Sequence, residues 1–119
     1  MRRDWELVRQ ILLKLEDLST TSSYLSPDGV PGYDPEIISY HMQLMDEAGL
    51  IKAKCLKTSG QGLRCNAISM TWEGHEFLDK IKNDSNWNKV KGIAREKGLD
   101  LSFDVIKLAA KTVLESLFG

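Results

Sequence analysis

Four side chains in this sequence carry the donor atoms of a metal site: His41, Cys55, Cys65 and His75. Zinc motifs pair their cysteines at short Cys-x-x-Cys-like spacing, which is absent here, so no metal is expected. Cys55 and Cys65 stand symmetrically about Gly60, as cross-strand neighbours of one hairpin would. Two cysteines in a chain read as cytoplasmic argue against a disulfide framework. His41 falls on the apolar face of its segment, the position of a packed, hydrogen-bonded core histidine. Gly60-Gln61-Gly62 lacks the Lys-Ser/Thr of a phosphate-binding loop and does not open a helix. With no Gly-x-Ser-x-Gly, no His-Glu-x-x-His and no nucleophile–base pair, neither an enzyme nor a cofactor is expected.

The residues that remain are suited to recognition. Ser39, Tyr40 and Gln43 lie on the polar side of one helical segment, and a glutamine there can pair bidentately with adenine. Glu36, Asp46 and Glu47 share that side and would face phosphate unfavourably. The formal net charge of −1 hides a strong asymmetry. Residues 1–49 hold nine acids and four bases, whereas residues 50–70 hold Lys52, Lys54, Lys57 and Arg64 with no acid. Phosphate contacts supply much of the affinity of DNA binders, so this basic segment is the candidate clamp. A solvated edge strand protected by lysines has the same composition. Arg2 and Arg3 offer a terminal arm, and residues 80–97 a second basic stretch that reads as a solvated helix face.

These residues must be held by definable elements. Asp4 can cap a helix whose apolar stripe is Trp5, Val8, Ile11, Leu12, Leu15 and Leu18. Residues 19–33 are rich in Ser, Pro and Gly and read as a loop or short strand. Asp34-Pro35 opens a second helix, with Ile37, Ile38, His41, Leu44, Met45 and Ala48 inward, and Gly49 stops it. Residues 52–58 and 63–70 alternate as strands around Ser59-Gly60-Gln61-Gly62, which is hairpin-turn chemistry. Thr71 can cap a helix with Trp72, His75, Phe77, Leu78 and Ile81 on one stripe, broken at Asn83-Asp84-Ser85. A helix from Asn86 to Lys97 stops at Gly98, and another runs from a Ser102 cap to Phe118. Trp5, Trp72 and Trp87 fall on apolar stripes and are assigned to the core. The wide apolar face of the last helix either completes the core or forms the seam of a two-fold homodimer.

Three segments, Ser39 to Ile51, the Gly-containing hairpin, and Met70 to Leu78, resemble winged-helix regulators. In those proteins a recognition helix ends in a Leu-x-x-Ala-Gly-Leu-Ile turn, and the wing returns into a Leu-Thr-x-x-Gly helix start. The plan of that fold has a further helix in residues 19–33, which here is a degenerate turn or a loop. Through Arg3-Asp4, Val8-Arg9, Trp87-Asn88-Lys89 and the terminal helix, the chain also resembles short uncharacterised proteins of bacterial prophages, a domain of unknown function. The resemblance implies a winged helix and phage-type regulation, and carries over no catalytic residue.

The expected fold is mainly α with a small β-hairpin: a winged helix-turn-helix over residues 1–83 and additional C-terminal helices over 84–119. The expected activity is double-stranded DNA binding by a small transcriptional regulator, with Ser39, Tyr40, Gln43, Lys52, Lys54, Lys57 and Arg64 in contact. The rival is a winged helix used for protein contact through its acidic half. No stretch approaches the ~20 apolar residues of a membrane span, and no apolar signal core follows Met1-Arg2-Arg3, so a cytoplasmic protein is expected.

Overall fold

The fold is that of a computed structural model, which describes residues 1–96 and 102–118. The chain divides into two compact units, residues 1–75 and 76–119. In the first, helix α1 (Trp5–Glu16) starts at Asp4, whose carboxylate accepts from the backbone N–H of Glu6 at 2.9 Å and of Leu7 at 3.3 Å. Trp5, Val8, Ile11, Leu12 and Leu15 are buried, as the spacing predicts, and so is Leu7, which lies outside the expected stripe. No α-helix forms between residues 17 and 34. A turn of 3-10 helix spans Pro27–Gly29, and just before it Leu25 exchanges both backbone hydrogen bonds with Ala67, at 2.8 and 2.9 Å.

Helix α2 (Pro35–Glu47) is capped by Asp34, which accepts from Glu36 N–H at 2.9 Å. Gly49, at φ 80°, supplies the left-handed residue that ends it. Its buried face differs from the expected one. Ile38, Ser39, His41, Met42 and Met45 are buried, whereas Ile37 and Ala48 are exposed. The helix is turned toward the hairpin, so a serine and a methionine occupy positions that hydrophobicity alone gives to Ile37 and Ala48.

Strands β1 (Ile51–Thr58) and β2 (Gly62–Met70) form a two-stranded antiparallel sheet. Lys52 pairs with Ser69 and Ala53 with Ala67, which leaves Ile68 as the extra residue of a bulge. Cys55 faces Cys65 directly, Cα to Cα 4.1 Å, and the two form a disulfide. The expectation of no disulfide is therefore corrected. Counting cysteines addresses frameworks that substitute for a core, whereas this pair is brought together by hairpin register.

Helix α3 (Trp72–Ile81) opens at Thr71, whose hydroxyl accepts from Gly74 N–H at 3.0 Å and donates to the Gly49 carbonyl. Trp72, assigned to the core from its stripe, is 76 % exposed, and His75 is exposed as well. The inward position is Gly74: a Cβ there would collide with the Leu50 carbonyl and Met70. Close backbone approach fixes the helix phase, and a residue without a side chain adds nothing to a hydrophobic pattern.

The second unit contains the end of α3, then α4 (Asp84–Glu96) and α5 (Phe103–Phe118). Helix α3 breaks before Asn83-Asp84-Ser85 as expected, but α4 starts at Asp84, two residues earlier than expected, because Asn83 caps it by accepting from Asn86 N–H at 3.1 Å. The expected stop at Gly98 lies outside the described residues. Helices α4 and α5 pack on each other, Trp87, Val90 and Ala94 of the one and Ile106, Ala110 and Val113 of the other are buried, and Phe77 stacks on Phe103 at 5.1 Å. Among the described residues no helix is long and apolar enough to cross a membrane.

The Cys55–Cys65 bridge closes a short loop, for which chain-entropy arguments give about 2–3 kcal/mol. Reduction by dithiothreitol, or the pair Cys55→Ser and Cys65→Ala, is expected to lower stability in urea by that order. An unchanged midpoint would show that the bridge contributes nothing.

Candidate nucleic-acid interface

The hairpin is the basic element of the first unit. Lys52, Lys54, Lys57 and Arg64 are all exposed, and no acid lies between Ile51 and Met70. Directly opposed residues share a sheet face and successive ones alternate. Lys54 therefore stands with Leu56, Arg64 and Asn66, while Lys57 stands on the other face with Cys55, Leu63 and Cys65. The spacing of Lys52, Lys54 and Lys57 places them on one strand side only in part: Lys54 and Lys57 lie on different faces. Arg64 is not free either, since its Nη2 lies 3.6 Å from Asp28 Oδ2. Both groups of that pair are well exposed, so it contributes little to stability and can be exchanged for another anion.

The α2 side of the site is more altered. Ser39, expected to read base edges, is 1 % exposed. Its Oγ accepts from the buried N–H of Cys65 at 2.9 Å, which corrects its role from reader to structural tie. Successive N–H groups of a strand point to opposite edges, so the Cys65 donor faces away from β1 and needs a partner outside the ladder. Serine appears in a polar helix face for the same reason whether it meets solvent or a strand edge, and sequence pattern does not separate the two. Tyr40 and Gln43 are half-buried at the surface of α2, with Glu36 and Glu47 exposed beside them. Asp46 is engaged, its Oδ2 accepting from Ala53 N–H at 2.8 Å at the start of β1.

Behind this surface α1 is fastened to α2. Asp4 N–H donates to His41 Nε2 at 2.7 Å, and His41 Nδ1 lies 2.8 Å from the Ile37 carbonyl. A carbonyl only accepts, so Nδ1 carries the proton and the ring is used at both nitrogens. Tyr40 packs edge-on against this ring at 5.9 Å. Tyr33 lies near the same junction, where burial first, and then the negative charges of Asp4 and Glu6, raise its phenol above the usual 10.0. The side chains considered as metal donors thus have other uses in part: His41 is a structural bridge and both cysteines are in the disulfide. Arg3 lies over the Trp5 ring at 4.8 Å, which draws it back from the role of an extended arm.

Features that sequence reasoning missed are also informative. Asn66 has a buried Oδ1 without a hydrogen-bond partner, and Leu25 covers the edge of β2 at Ala67. A lone leucine in a Ser-rich loop was the signal for the second; nothing in the sequence signalled the first. The start of α2 and the hairpin enclose a cleft of about 360 Å³, lined by residues that include Glu36, Ser39, Lys54, Arg64 and Asn66.

The family model described as "Hypothetical protein (DUF2513)" matches residues 2–100. The chain belongs to this family. An uncharacterized protein of Haemophilus influenzae (strain ATCC 51907 / DSM 11121 / KW20 / Rd) is 45 % identical over 119 residues, covering 100 % of both chains. No solved structure matches. The expected membership of an uncharacterised family is met, and these relatives carry no activity with them.

Two outcomes follow from the geometry. Ser39→Ala leaves the Cys65 donor without its partner and is expected to cost about 1–3 kcal/mol in urea unfolding, whereas Gln43→Ala should stay within about 0.5 kcal/mol. Equal effects would return Ser39 to the surface role. Because the folded state holds the Tyr33 proton to higher pH than the unfolded chain, stability should begin to fall as pH rises past about 10, and Tyr33→Phe should remove that part of the decline.

Proposed function

We propose that the first unit is a winged helix-turn-helix module that binds double-stranded DNA, as a small transcriptional regulator of phage type. The observation that carries this reading is the cationic ribbon: Lys52, Lys54 and Lys57 are exposed on one strand, none is in an ion pair among the described residues, and the hairpin holds no acid. Support for the fold type comes from the order α1, an extended contact at Leu25, a short turn, α2 and a hairpin. The second helix of the usual plan is replaced by the loop around Pro27–Gly29. Cations on both faces suit a wing standing in a groove, where phosphates line both walls. Helix α2 then lies beside it with Tyr40 and Gln43 toward the duplex, and Glu36 and Glu47 make the contact weak and salt-sensitive.

A second reading has its own observation. The surface of α2 carries Glu36 and Glu47 with Ile37 and Tyr40 and no base, a composition that fits a basic protein surface better than phosphate. Under that reading the same module is an interaction domain without DNA.

Titration of random duplex at about 50 and 200 mM salt separates the two. Under the DNA reading, affinity falls steeply with salt, Lys54→Ala and Lys57→Ala each flatten the slope by about 0.9, and Glu47→Lys tightens binding. Absence of binding at the lower salt overturns it.

A further inference from the structure

The cleft between the start of α2 and the hairpin contains charges of both signs that have not closed on each other. Glu36 comes from the first turn of α2, and Lys54 and Arg64 from the hairpin. Among the described residues neither Glu36 nor Lys54 has an ion-pair partner, and Arg64 turns to Asp28, which does not line the cleft. Backbone constraints fix where each side chain starts. Glu36 sits in a capped first turn with its carboxylate where a side chain on Gly62 would be, and Lys54 is fixed opposite Asn66 by register. In the same wall Asn66 Oδ1 is buried without a donor. Buried polar atoms are nearly always satisfied; this oxygen is closed to solvent, so it gains a donor only when the Asn66 side chain shifts.

We propose that this cleft binds a small zwitterion, an α-amino acid with an aliphatic side chain. The ammonium group pairs with the Glu36 carboxylate, beside the Asn66 side chain that lines the same wall. The carboxylate takes Lys54 Nζ and the Arg64 guanidinium, displacing the exposed Asp28 contact. Leu56 and Leu63, with Pro35, supply apolar wall for the side chain. A volume of about 360 Å³ is at the small end of ligand pockets, which suits a molecule of this size. A plain anion such as phosphate satisfies the two bases but meets Glu36, and a plain amine meets the reverse mismatch. The dipolar ligand alone pairs every one of these groups. This inference stands apart from duplex binding, and its test contains no DNA.

The test uses the full chain, calorimetric titration, and backbone and side-chain amide NMR shifts. The probes are L-valine, L-leucine and L-methionine, with 3-methylbutylamine, 4-methylpentanoate and inorganic phosphate as partial mimics. At least one amino acid is expected to saturate, to shift the Asn66 side-chain amide, and to bind at least tenfold tighter than every mimic. Glu36→Gln and Lys54→Met should each weaken it at least tenfold with the fold intact by circular dichroism, while Lys57→Ala, at a residue that does not line the cleft, should leave it unchanged. If a variant fails to fold, the Asn66 shift in the unaltered chain decides. No saturable shift from any of the three amino acids, or phosphate binding as tightly as they do, overturns the proposal.

Discussion

A two-stranded ribbon has little stability alone in water, and everything functional in the first unit depends on how this one is held. The outer edge of β2 is the point of attachment. Ala67 exchanges both backbone bonds with Leu25, and two residues away Cys65 donates to Ser39 Oγ on α2. On the other strand, Ala53 donates to Asp46. Three side-chain or backbone partners from outside the ladder thus satisfy the base of the hairpin, and the same contacts set where its lysines stand relative to α2.

That arrangement explains which parts of the chain were legible. Helix ends were written in local chemistry: Asp4, Asp34, Thr71 and Ser102 cap where their types and neighbours indicate, and Gly49 stops α2. Strand boundaries and the turn also follow from alternation and glycine placement. Helix phase was less legible, because it depends on what the helix packs against. Ser39 is inward because a strand donor needs it, and Gly74 is inward because the Leu50 carbonyl leaves no room for a side chain. Both are positions where polarity or small size, read alone, points outward.

The candidate site was legible in its charges and less so in its geometry. Exposure of Lys52, Lys54 and Lys57 agrees with their composition, but their distribution over two faces depends on register, and Arg64 meets an acid from a loop with no periodic signal. Asn66 illustrates the remaining gap. In a strand its polarity reads as solvent exposure, whereas its oxygen is enclosed, a fact that needs the neighbouring helix to be known.

The disulfide divides the ribbon mechanically. On the side toward the helices, the strands are tied by Leu25, Ser39 and Asp46. Beyond the bridge come the pairs Leu56 with Arg64, Lys57 with Leu63 and Thr58 with Gly62, with the exposed and exchangeable Arg64–Asp28 contact. A covalent rung at that height holds the two strands together, so any bending of the ribbon would fall mainly in its outer third. Lys57 lies on that outer part and Lys54 on the tied part, so the two cations would differ in reach although only three positions separate them.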